Sequence, residues 1–210
     1  GLCGAFNAGL IRSTVSLIEK NYVSQKASGN LHLLLIGKKG EDYFKRRDYT
    51  IVETRHDLAE HVNPSEAVKL SEELTQKFIS GEYDRIDLIY NQFKNAAVQL
   101  FSHEQYLPIA HEEDEDSDGI HETYVDYIFE PSKKYIMEHI IPRSLQVHVI
   151  KALLDSNASE HGARMTAMHK ATDNATELIK ELKLDYNKAR QASITNEILE
   201  IVSGANALDK

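Results

Sequence analysis

From Arg143 to Ile201 the chain contains one glycine, Gly162, no proline and no cluster of turn residues. Nothing in that stretch lets the backbone reverse, so it reads as a single helix. At ~1.5 Å per residue, a helix from Arg143 to about Asn206 is roughly 95 Å long. A domain built from the residues before it is only some 30–40 Å across. The helix is therefore expected to project and to need a partner. Ala175, Ile179, Leu182, Tyr186 and Ala189 recur at alternating spacings of 4 and 3, the heptad seam of a coiled coil. The phase shifts near Ser193, after which Ile194, Ile198, Ile201 and Ala205 continue it, as a stutter does. Ala175 and Ala189 in the seam predict close helix-to-helix approach. Ser132 is placed to cap a short helix that Pro142 ends or kinks. Residues 132–210 are thus expected to form a helical shaft.

Residues 1–131 alternate instead between helical and strand patterns. Leu10, Ile11, Thr14, Val15, Leu17, Ile18 and Tyr22 recur at helical spacing, stopped by Ser28-Gly29-Asn30. Leu31–Ile36 reads as a strand buried on both faces and ended by Gly37. A short charged helix over Glu41–Arg47 and a second strand, Tyr49–Val52, follow. Asn63-Pro64-Ser65-Glu66 opens another helix, with Pro at its first position and a carboxylate at the positive end of the dipole. It carries Ala67, Leu70, Leu74, Phe78 and Ile79 on one face and ends at Gly81. Arg85–Phe93 and Val98–Ile109 read as antiparallel strands joined through Lys94–Ala97, and Tyr124–Phe129 as a fifth strand. The alternation predicts an α/β fold: a Rossmann-like, mostly parallel sheet with flanking helices and one antiparallel edge.

Composition narrows the function. Thirty-three acidic against 24 basic residues leave a formal charge of −9, a poor match to binding that works by neutralising phosphates. One cysteine, Cys3, excludes a disulfide framework and a multi-cysteine zinc site. The longest fully apolar run is Leu33–Ile36, far short of a membrane span. No signal-peptide pattern is visible, and the opening Gly1-Leu2-Cys3-Gly4 has no initiator Met. The chain is expected to be a cytosol-facing piece of something larger, with its N-terminal portion removed.

No catalytic set assembles from the residues. Gly37-Lys38-Lys39-Gly40 lacks the spacing and the hydroxyl of a phosphate-binding loop and reads as a turn. Gly1, Gly4 and Gly9 do not form the dinucleotide fingerprint. His121-Glu122 has no histidine at the position a zinc protease requires. Six of the seven residues from 112 to 118 are acidic, without the ligand spacing of an EF-hand, so this segment reads as a solvated loop. Cys3 near a helix start reads as a small residue packed against the sheet. No cofactor, metal or catalytic residue is assigned, and the chain reads as a mechanical or scaffolding element.

Several strings then point to one family. These are Arg164-Met165-Thr166-Ala167-Met168, Ala171–Ala175, Tyr186–Ile198 and Glu200-Ile201-Val202-Ser203-Gly204-Ala205. Together they resemble the C-terminal helix of the ATP synthase gamma chain. Gly1-Leu2-Cys3-Gly4-Ala5-Phe6-Asn7 is similar to the turn after the first strand of that family's α/β domain. The resemblance implies the central rotor shaft of the F1 sector, a non-catalytic subunit that couples proton-driven rotation of the membrane c-ring to ATP synthesis and hydrolysis at the beta subunits. It implies a C-terminal helix that is one half of an antiparallel coiled coil. Implied partners are the alpha and beta subunits, epsilon and the c-ring, at the cytoplasmic face of a bacterial membrane. Arg190 and Gln191 match positions that meet the beta-subunit catch loop; Thr195, Glu197 and Glu200 match polar shaft positions facing the ring. Met165 and Met168 are expected to pack on the partner helix, and Ile198 and Ile201 to continue a hydrophobic tip. The family's N-terminal helix and first strand are missing here, so self-association through the exposed seam or completion by a second chain is expected. The alternative is a nucleotide- or metabolite-binding α/β domain with a dimerising helix, which requires a pocket at the carboxyl ends of the parallel strands.

Overall fold

Asn63 accepts a hydrogen bond from the Ser65 amide at 3.0 Å, and Pro64 follows it as the first helical residue. This cap fixes the start of the helix on which the core is built. A computed structural model describes residues 2–109, 129, 130 and 132–208, with side chains as far as residue 204. In chain order it contains α1 (Phe6–Asn21), α2 (Val23–Ala27), β1 (His32–Ile36), α3 (Lys38–Phe44), β2 (Thr50–Arg55), α4 (Asp57–Glu60), α5 (Pro64–Ile79), β3 (Ile86–Phe93), β4 (Gln99–Leu107) and α6 (Lys133–Leu208).

β1 and β2 pair in parallel, with Leu33 opposite Ile51 and Ile36 opposite Arg55. β3 and β4 pair antiparallel, with Tyr90 opposite Ser102 and Phe93 opposite Gln99. The α/β class, the parallel pairing and the flanking helices are those expected. Among the described residues the antiparallel pair forms a second two-stranded sheet of its own. The expected fifth strand, Tyr124–Phe129, falls on residues 124–128, which lie outside the described residues, as does the acidic segment 112–118. β1 is half-buried rather than enclosed on both faces. The Gly37–Gly40 segment is not an isolated turn: Gly37, at φ 104°, turns the chain directly into α3, a conformation in which a Cβ is strained.

The core gathers Leu58 from α4, Ala67 and Leu70 from α5, Tyr106 and Leu107 from β4, and Leu145, Val149 and Leu153 from α6. Each fully buried leucine or valine stabilises by about 1.5–3 kcal/mol relative to exposure. The spacing of four along α6 puts its three core residues on one face. This packing explains a departure from expectation. No short helix ends near Pro142; α6 runs through it without a break. Proline there removes one backbone hydrogen bond, and the anchorage of Ile141 and Leu145 on the core offsets that loss.

The chain divides into two compact units between Met165 and Thr166. The first part of α6 therefore belongs with the α/β unit, whereas the sequence alone assigned everything from 132 onward to the shaft. The second unit is helix throughout its described length.

Candidate interaction face

From Met168 to Gly204 every side chain on α6 is exposed. The seam residues are among them: Ile179 at 53%, Leu182 at 58% and Tyr186 at 67%. Ala175 and Ala189 lie on the same stripe. Contiguous apolar surface of this kind is a candidate interaction face. Leu178, Leu184, Leu199 and Val202 are also about half or more open, so the apolar surface is wider than the seam. That breadth was missed because these residues break the alternation of 4 and 3.

The five polar residues singled out by sequence sort into two stripes. At 3.6 residues per turn, Arg190, Glu197 and Glu200 (i, i+7, i+10) share one, and Gln191 and Thr195 (i, i+4) share another. Between the two runs Ile194, Ile198 and Ile201, again exposed. The arrangement is an apolar strip with a polar border on each side, the anatomy of a protein interface. Thr195 Oγ1 donates to the Gln191 carbonyl at 2.8 Å, so its hydroxyl is turned back on its own helix. Among the described residues Arg190, Glu197 and Glu200 form no ion pair with one another or with a neighbour. A guanidinium fork matches the geometry of a carboxylate. Met165 and Met168 are half-exposed, and Ala205 lies beyond the described side chains.

No group of three or more His, Cys, Asp or Glu is placed to hold a metal ion among the described residues. An open hollow of about 490 Å³ lies on α1 and β4, lined by Arg12, Ser16, Lys20 and Phe101 among others. It is not at the carboxyl ends of β1 and β2, where the metabolite-binding alternative required a pocket.

Comparison with known proteins decides the family. The family model for ATP synthase matches residues 1–208. The ATP synthase gamma chain of Christiangramia forsetii is 50% identical over 209 residues, covering 100% of this chain and 70% of that one. The chain belongs to the ATP synthase gamma family. The gamma chain of Flavobacterium johnsoniae is likewise 50% identical, with the same coverage. The fold is shared with the central stalk of the Tetrahymena thermophila mitochondrial ATP synthase, at TM-score 0.56 and 25% identity over 82% of this chain and 71% of that one. It is also shared with a chain of the Euglena gracilis mitochondrial complex of OSCP, F1 and c-ring, at TM-score 0.65 and 23% identity, covering 99% of this chain and 69% of that one. The gamma chain is a subunit of ATP synthase, and membership displaces the metabolite-binding alternative. No helix among the described residues is long and apolar enough to cross a membrane.

Proposed function

We propose that this gamma-family chain is the central rotor shaft of an F-type ATP synthase, a subunit that carries no catalytic group of its own. It couples proton-driven rotation of the c-ring to ATP synthesis and hydrolysis at the beta subunits. The observation that carries the reading is the bordered apolar strip on the exposed part of α6 from Met168 onward, in a chain that matches the ATP synthase family model over residues 1–208. A shaft works by contacting each surrounding subunit differently at each angle, so that rotation shifts the nucleotide affinity of each site in turn. An asymmetric helix face is suited to that task; a uniform rod is not.

In this reading the seam from Ala175 to Ala189 packs against an antiparallel helix, giving the coiled coil. Arg190 and Gln191 engage the beta-subunit catch loop, and Thr195, Glu197 and Glu200 face the ring of alpha and beta subunits. The α/β unit forms the foot, meeting epsilon and the c-ring at the cytoplasmic face of a bacterial membrane. The test is reconstitution with alpha and beta subunits, with an N-terminal helix of the family supplied in trans, followed by an ATP hydrolysis assay. Co-assembly with turnover lowered by Arg190→Ala or Gln191→Ala supports the shaft and its contacts. Failure of the supplemented protein to enter the ring contradicts it.

A further inference from the structure

The β3–β4 hairpin is gripped on both faces through two carboxylates. On one face Asp87 accepts hydrogen bonds from Tyr22 of α1 and from Arg85 Nε at 2.9 Å, and it pairs with His103 Nε2 at 2.9 Å. On the other face Glu104 accepts from Tyr90 Oη at 2.6 Å and Ser102 Oγ at 2.9 Å, and it pairs with His148 Nε2 of α6. Asp87 lies opposite Gln105 in the ladder, so Glu104, one residue away, points to the opposite side. Burial alone would raise the Glu104 pKa. The hydrogen bonds from Tyr90, His148 and Ser102 outweigh it and hold the carboxyl at about 2. The group is therefore an anion at neutral pH.

The attachment of α6 continues on either side of His148. The Tyr106 hydroxyl reaches the Leu145 carbonyl at 3.4 Å, and Ser159 Oγ donates to the Asn91 carbonyl at 3.0 Å. Gly162 passes so close to the hairpin that a Cβ there would lie 3.1 Å from Ala96 Cα. Leu145, His148, Ser159 and Gly162 (i, i+3, i+14, i+17) fall on one stripe of the helix. The apolar contacts of Val149 and Leu153 adjoin that stripe on the other side of Leu145. Apolar burial is non-directional. Charge-assisted hydrogen bonds fix angle and register.

We infer that the Glu104–His148 pair, with Tyr90 behind it, is the joint that stops α6 turning relative to the hairpin when the shaft works against a load. This rests on the rotor reading, and it makes Glu104 and His148 positioning residues.

The test compares ATP hydrolysis without a gradient to ATP-driven proton pumping against an imposed gradient, in the assembled synthase in vesicles. In His148→Leu the unloaded hydrolysis is retained and pumping against the gradient is lost. His148→Gln, which keeps an N–H donor, retains pumping. Amide exchange over residues 145–159 rises about tenfold in His148→Leu, as expected for one charge-assisted hydrogen bond. Tyr90→Phe removes a single donor and keeps the ring, and it gives a partial loss of pumping, so the inference stays testable if His148→Leu fails to assemble. Pumping unchanged in both His148→Leu and Tyr90→Phe, with exchange raised, overturns the inference. If the unsubstituted complex hydrolyses ATP without pumping at all, the rotor reading fails rather than the joint.

Discussion

His148 on α6 and Glu104 on β4, 44 residues apart in sequence, are hydrogen-bonded through Nε2 and a carboxylate oxygen. Their pairing ties the early part of the long helix to the α/β unit. It also gives the fold an acid-sensitive element. The Glu104 carboxyl sits at about 2, below its ordinary 4.5. Its folded pKa is depressed, so its contribution to stability is complete above pH 4.5 and is lost as pH falls toward 2. Glu104→Gln is less stable than the unsubstituted protein at neutral pH. The gap closes between pH 4.5 and 2, as seen in denaturant unfolding across that window. A gap that stays constant through the window contradicts the assignment.

Tyr106 is 1% exposed and its hydroxyl lies 2.8 Å from Ser71 Oγ, itself 1% exposed. Burial raises the Tyr106 pKa, a shift the hydrogen bonds from Ser71 and Thr75 only partly oppose, so the phenol stays neutral. Tyr106→Phe leaves the Ser71 hydroxyl buried with a lost partner and costs about 1–3 kcal/mol. Urea unfolding measures it, and a change within experimental error would show that Ser71 finds another acceptor.

Two glycines in helices give different results when replaced. At Gly9 of α1 nothing lies within 4 Å of an added Cβ, so Gly9→Ala stabilises by about 0.5–1 kcal/mol. At Gly162 the added methyl lies 3.1 Å from Ala96 Cα and 3.2 Å from Ala96 O. Overpacking of that kind costs about 1–3 kcal/mol. It cancels or exceeds the gain in helix propensity, and thermal unfolding of the two variants separates them.

Much of the α/β unit was legible in the sequence because its signals are local. Asn63-Pro64 marked the start of α5, Gly81 its end, and the runs flanking Lys94–Ala97 marked the hairpin. The Glu104 and Asp87 clusters were not legible, since each joins residues far apart in the chain and no local pattern announces them. The docking of α6 left a faint sign, the spacing of four in Ile141, Leu145, Val149 and Leu153. The heptad reading began only at Ala175 and did not use it. Pro142 misled in the opposite direction, because its cost to a helix is local while the packing that offsets it is not. The polar face was legible as individual residues from Arg190 to Glu200. The two-stripe border around Ile194, Ile198 and Ile201 emerges only once they are wound on one helix.

Leu182 on the seam is 58% exposed, so its substitution has no folded contact to break within the chain. Leu182→Gln leaves the thermal stability of the α/β unit within about 0.5 kcal/mol. It weakens assembly with an added gamma N-terminal helix, read by co-purification. Unaltered assembly would place the partner elsewhere on α6.

The rotor claim itself is tested most directly by watching the protein turn. With the alpha and beta ring immobilised and a bead fixed to the α/β unit, addition of ATP is predicted to drive stepwise rotation in one direction. A bead that stays still while the same complexes hydrolyse ATP would contradict the account.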